Sequence, residues 1–162
     1  LFKLFYFYTI APMGIEKDIH QEKFTSAQQK AMLNIMFSYG WIIERIRDFL
    51  ASEDITHQQY NILRILRGSH PKPLSTLQIR ERMLDKMSDT SRIVDRLIVK
   101  GLVKKGTCAA DKRLVDVTIT EKGQKLLKKL DGHANHIEAI MGNLSEKDAE
   151  MLSSLLDKLR TG

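Results

Sequence analysis

The stretch from Asp111 to Gly123, DKRLVDVTITEKG, leaves this chain few ways to fold. Leu114, Val115, Asp116, Val117, Thr118 and Ile119 are β-prone and partly alternate, which suits a half-buried strand. Gly106 to Lys112 supplies the small and charged residues of a hairpin loop, and Leu102 to Lys105 supplies the partner strand. Lys112 and Arg113 then sit at a protruding tip. A lone two-stranded ribbon is marginal in water, so this one has to lean on helices.

Helical signals flank it on both sides. Met32, Ile35, Tyr39, Ile42, Ile46 and Phe49 step by three and four residues along a helix predicted from Thr25 to about Ser52, and such an apolar stripe needs a partner. Thr56 with Gln59 makes a capping box for a second helix, in which Tyr60, Leu63 and Leu66 face inward until Gly68 and Pro71 end it. Ser75 with Gln78 repeats the device for a short third helix reaching about Leu84. The chain turns around Asp85 to Met87, and Ser88 is placed to cap a fourth helix that runs to Lys100 and stops at Gly101. Beyond the ribbon, Thr120 opens one helix carrying Leu126, Leu127, Leu130, Ile137, Ile140 and Met141. Ser145 with Asp148 opens the last, with Met151, Leu152, Leu155, Leu156 and Leu159 as its apolar set.

Length and charge bound what this arrangement can be. With 162 residues, 43% of them hydrophobic, the chain can bury one core, and a second catalytic domain does not fit. The formal charge is +6, and it is unevenly spread. Residues 1–71 hold 8 cations and 7 anions, residues 72–113 hold 11 and 5, and residues 114–162 hold 7 and 8, so the whole excess lies in the middle segment. Concentrated positive charge attracts a phosphate backbone by counterion release. One cysteine cannot form an internal disulfide, so an intracellular, cytoplasmic setting is expected. No apolar run approaches the roughly 18 residues of a membrane span, so no membrane partner is expected. Residues 1–12, LFKLFYFYTIAP, read as a non-native or upstream leader, with Met13 as a plausible start.

Two short capped helices separated by a tight turn and followed directly by a ribbon make a winged helix-turn-helix. The expected fold class is therefore mainly α with a small β-wing. Residues 56–120 are assigned to a DNA-binding region, and residues 13–55 together with 121–162 to a helical dimerisation region built from both chain ends. On the fourth helix Ile93, Val94, Leu97 and Ile98 form the buried side, leaving Asp89, Ser91, Arg92 and Arg96 outward. Arg92 and Arg96 are four apart and project from one face, as a helix lying in the major groove of double-stranded DNA requires.

The chain resembles the MarR-type transcriptional regulators over Thr25 to Arg160. An Asp-x-Arg followed by a Val, a Leu-Thr pair and a Gly matches Asp111, Arg113, Val117, Ile119, Thr120 and Gly123, with Ile119 replacing the leucine. THQQYNILRIL, SRIVDRLIVKGLV and the final leucine-rich helix are also similar to the family. The resemblance implies a homodimer binding a palindromic operator, with half-sites about 34 Å apart along the duplex. It gives Arg113 the role of a minor-groove probe, with Asp111 holding a neighbouring arginine in support. It makes Arg96 a DNA contact, while Ser88, Asp89, Ser91 and Arg92 fall where the recognition helix varies with the operator. Repression is the expected sign of regulation.

The resemblance also implies a pocket for a small phenolic or lipophilic effector. Tyr39, Trp41, Arg45, His57 and Tyr60 are its candidate residues, and each also suits core packing or a dimer contact. Cys108 lies among Lys104, Lys105 and Arg113, whose charge would lower a thiol's pKa, so oxidation there could displace the wing. The family's peroxide sensors, however, carry their cysteine near the N-terminal helix, where this chain has none. His133 and His136 can share a helix face near Asp131 and Glu138 but lack a clear third ligand, so no metal is assigned. With no phosphate-cradling glycine loop, nucleophile elbow or HExxH, neither an enzyme nor a cofactor is expected. The competing reading is a nucleoid-type architectural protein, which would bind DNA without effector control.

Overall fold

The computed structural model describes residues 14–107, 115–132 and 135–161. Its elements are α1 (Ile15–Asp18), α2 (Ala27–Leu50), a 3-10 turn at Ala51–Glu53, α3 (His57–Ser69), β1 (Leu74–Ser75), α4 (Thr76–Arg82), α5 (Thr90–Val99), β2 (Val103–Thr107), β3 (Val115–Ile119), α6 (Glu121–Asp131), α7 (Asn135–Glu138), a 3-10 turn at Ala139–Met141 and α8 (Glu146–Leu159). This is the mainly helical fold with a small β-wing that the sequence predicts. The leader and Met13 lie outside the described residues. The chain divides into two compact units, one ending at Ile43 and the other beginning at Glu44, and α2 is continuous through that point.

In the first unit, α2 starts where Ser26 Oγ accepts from the Gln29 N–H at 3.0 Å, and the Gln29 side chain takes the Thr25 N–H at 2.7 Å. Lys30 pairs with Glu16 of α1 and lies 5.8 Å from the centre of the Phe24 ring. Met32, Ile35 and Tyr39 of the predicted stripe are exposed.

The second unit is built around α3, which touches α4, α5, α6 and β3. Its N-terminus carries the capping box expected there: the Gln59 N–H donates to Thr56 Oγ1 at 3.2 Å, and the Thr56 N–H to the Gln59 side chain at 3.1 Å. That start aims Ile62, Leu63 and Leu66 inward. They pack with Leu50 and Ile55 before them and with Ile79, Val94, Leu97, Val117 and Leu127 after them, while Ile46, Phe49 and Tyr60 are half-buried against this core. Each such burial contributes about 2 kcal/mol, so the core is what holds the short elements in place.

The sheet has the order β1-β3-β2 and is antiparallel throughout. Val103 faces Ile119 and Lys105 faces Val117, as the expected ribbon requires; Leu74 faces Val117 from the other side. That third strand is only two residues long, too short to leave a periodic pattern in the sequence.

One expectation is corrected at the C-terminal end. The single helix predicted from Thr120 through Met141 is divided: α6 ends at Asp131 with Gly132 as its cap, and helix resumes at Asn135. Glycine is the weakest ordinary helix former, costing about 1 kcal/mol against alanine, so the break falls where continuation is least favourable. Ser145 caps α8 as predicted, accepting from the Asp148 N–H at 3.2 Å, and Met151, Leu152, Leu155 and Leu159 of that helix are exposed. No helix among the described residues is long and apolar enough to cross a membrane.

Candidate nucleic-acid interface

The outward face of α5 follows from how its inner face is held. Val94 and Leu97 are buried, Ile93 and Ile98 are half-buried, and Thr90 is buried with its hydroxyl 3.3 Å from Met83 Sδ. With that side fixed, helical periodicity leaves Ser91, Arg92, Asp95 and Arg96 exposed. The two arginines expected on one face are there together.

The start of the helix differs from expectation by one residue. Asp89, not Ser88, is the N-cap, its carboxylate accepting from the Arg92 N–H at 3.1 Å. Ser88 instead donates its hydroxyl to Asp85 at 2.5 Å, and the Met87 N–H donates to the same carboxylate at 3.0 Å. These two donors hold the Asp85 carboxyl below its ordinary range. Serine and aspartate cap about equally well. With Asp85 closing the turn through Ser88, Asp89 becomes the residue whose side chain reaches the free N–H. Asn61 of α3 pins the same turn, accepting from the Leu84 N–H at 3.0 Å.

The base of the wing is fastened to this helix. Lys105 of β2 pairs with Asp95 of α5 at 2.6 Å, a contact that sequence reasoning missed, although Asp95 lies three residues after Arg92 and so shares its face. Between α5 and β2 the chain reverses at Gly101, with φ of +69°, a conformation that glycine adopts without steric cost. Thr120 then ties three elements: its N–H donates to the Leu102 carbonyl at 3.1 Å, its hydroxyl donates to the Gly101 carbonyl at 2.8 Å, and the same oxygen accepts from the Gly123 N–H at 3.2 Å. A Cβ on Gly123 would lie 2.3 Å from the Leu102 carbonyl oxygen, so only glycine permits this approach. Cys108, Asp111, Lys112 and Arg113 lie outside the described residues.

The effector candidates fall in both units. Tyr39 and Trp41 are exposed residues of the first, while Arg45, His57 and Tyr60 are half-buried in the second. Burial pushes the His57 imidazole below its ordinary pKa; the Asp85 charge opposes that shift and Arg47 adds to it. Tyr60 accepts from Arg64 at 3.2 Å, and the Arg64 guanidinium lies 5.8 Å from the centre of its ring. An open groove of about 400 Å³ elsewhere in the second unit is lined by Arg67, Glu121, Gln124, Lys125, Lys128 and Asp131, none of them an effector candidate. His133 and the His136 side chain lie outside what is described. Among the described residues no three metal-ligating side chains gather.

A sequence model of the MarR family matches residues 53–114. Among solved structures, a MarR transcription factor from Planctomyces limnophilus is 32% identical, with 83% of this chain and 98% of that one covered and a TM-score of 0.64. A mutant MarR from E. coli complexed with operator DNA is 22% identical over 78% of this chain and 90% of its own, with a TM-score of 0.71. BpsR from Bordetella bronchiseptica, whose DNA binding is regulated by 6-hydroxynicotinic acid, is 20% identical over 80% of this chain and 98% of its own, with a TM-score of 0.70. The mainly helical fold with a small antiparallel sheet is what the chain shares with them.

Proposed function

Since the chain belongs to the MarR family, we propose that it is a sequence-specific regulator of transcription that binds double-stranded DNA as a homodimer, represses from a pseudo-palindromic operator, and is relieved by a small effector. The observation that carries the DNA-binding part is α5. It buries Val94 and Leu97, turns Arg92 and Arg96 outward, and is fastened through Asp95 to the hairpin that follows, all within the segment holding the excess charge. The operator complex of the E. coli relative supports the same use of the fold. Ser91, Arg92 and Arg96 reach base edges and phosphates in the major groove, with Ser88 and Asp89 beside them. Arg113, with Asp111 in support, is the minor-groove probe, and Lys112 is a further DNA contact of the wing. The protein acts by binding, without catalysis.

Residues 56–120 form the DNA-binding region, and residues 13–55 with 121–162 the dimerisation region. Exposed apolar side chains on α2 and, separately, on α8 support pairing, because an interface would remove them from water. The regulation of the Bordetella relative by 6-hydroxynicotinic acid supports an effector, here a phenolic or lipophilic molecule.

A gel-shift titration at fixed salt tests the reading. The chain discriminates its selected operator from random duplex by at least about 10³-fold, and Arg113→Ala weakens operator binding more than ten-fold. Equal affinity for both duplexes would make the protein an architectural DNA binder instead.

A further inference from the structure

The turn between α4 and α5 uses its polar side chains internally. Asp85 accepts from the Met87 N–H and the Ser88 hydroxyl, Lys86 donates to the Glu81 carbonyl, and Asp89 accepts from the Arg92 N–H. Two apolar side chains are left over, Leu84 at 88% exposure and Met87 at 94%. Their backbone is nevertheless held, through the Leu84 N–H to Asn61 and the Met87 N–H to Asp85, both at 3.0 Å. A pinned turn that shows two large apolar groups to solvent has a surface to meet.

The surroundings select that surface. The turn runs directly into the first turn of α5, beside the exposed Arg92, and it lies inside the 72–113 segment that carries the +6 excess. Cations in that density draw in a polyanionic duplex. Within its major groove one base edge carries an apolar group, the C5 methyl of thymine. We infer that Leu84 and Met87 read thymine methyls in each operator half-site. The inference rests on the DNA-regulator reading above. It moves part of the base readout from Ser88 and Asp89, whose side chains are engaged in the turn, to their apolar neighbours. One methyl group moved from water into apolar contact is worth a factor of about four in affinity.

The test removes the methyl from the DNA and leaves the protein intact. The full chain selects its site from a randomised duplex pool, and each thymine of a half-site is then replaced by deoxyuridine. Wild-type protein loses about three- to five-fold in affinity at one or two of these positions, and Met87→Ala or Leu84→Ala removes the methyl dependence at its own position. Wild-type affinity that ignores every methyl, or variants that keep the wild-type dependence, would overturn the inference and leave the regulator reading intact. A wild type that selects no site at all would sink both.

Discussion

Gly123 shows how much one side chain decides here. Any Cβ at this position meets the Leu102 carbonyl oxygen at 2.3 Å and Ile119 Cγ1 at 2.7 Å, and the first is backbone that cannot swing aside. Gly123→Ala therefore lowers stability by about 2 kcal/mol through overpacking, read as an earlier urea midpoint; an unchanged midpoint would refute the close approach. His57 makes a second prediction. Burial of its imidazole, reinforced by Arg47, outweighs the attraction of Asp85 and leaves the folded state the weaker proton binder. As the pH falls below the ordinary value of 6.5, the unfolded chain takes up the proton first, so stability is full above that value and declines toward the lower folded pKa. Denaturation curves between about pH 7.5 and about pH 5.5 should show this decline, and His57→Gln should flatten it.

Among the elements, α5 has the most exacting environment. Its cap separates the expected start from the observed one: Asp89→Ala costs about 1 kcal/mol, whereas Ser88→Ala, which removes only the hydrogen bond to Asp85, costs less. Thermal melts giving the opposite order would return the cap to Ser88. The capping residues Thr56, Ser75, Thr120 and Ser145 were legible in advance because each cap joins residues three apart, a relation visible in any linear reading. The pairings of Leu84 with Asn61 across 23 positions and of Arg67 with Asp131 across 64 were not, since nothing local marks either partner. β1 escaped notice for the same reason, its two residues being strand only because β3 lies alongside.

For the molecule as a whole, the exposed leucines of α8 carry the consequence. Leu155 is 58% exposed and Leu159 65%, an unfavourable arrangement for apolar side chains in water. In the proposed homodimer, Leu155→Asp yields a monomer in sedimentation at a concentration where the wild-type chain is dimeric, and operator affinity falls because two half-sites are no longer engaged together. A variant that stays dimeric would remove α8 from the interface. The charge distribution adds a steep loss of affinity with salt, with Arg92→Ala and Arg96→Ala each reducing the slope by about one.

The sequence by itself determined the starts of α3, α4, α6 and α8, the ribbon, the location of the charge and the family, because these depend on residue identity and short spacing along the chain. Tertiary structure alone decided that Asp89 rather than Ser88 caps α5, that Asp95 holds Lys105 and that β1 joins the sheet. It also decided that Leu84 and Met87 face outward. Each of these depends on which distant groups are brought within a few ångströms, and that is settled only when α3 and its neighbours close around one core.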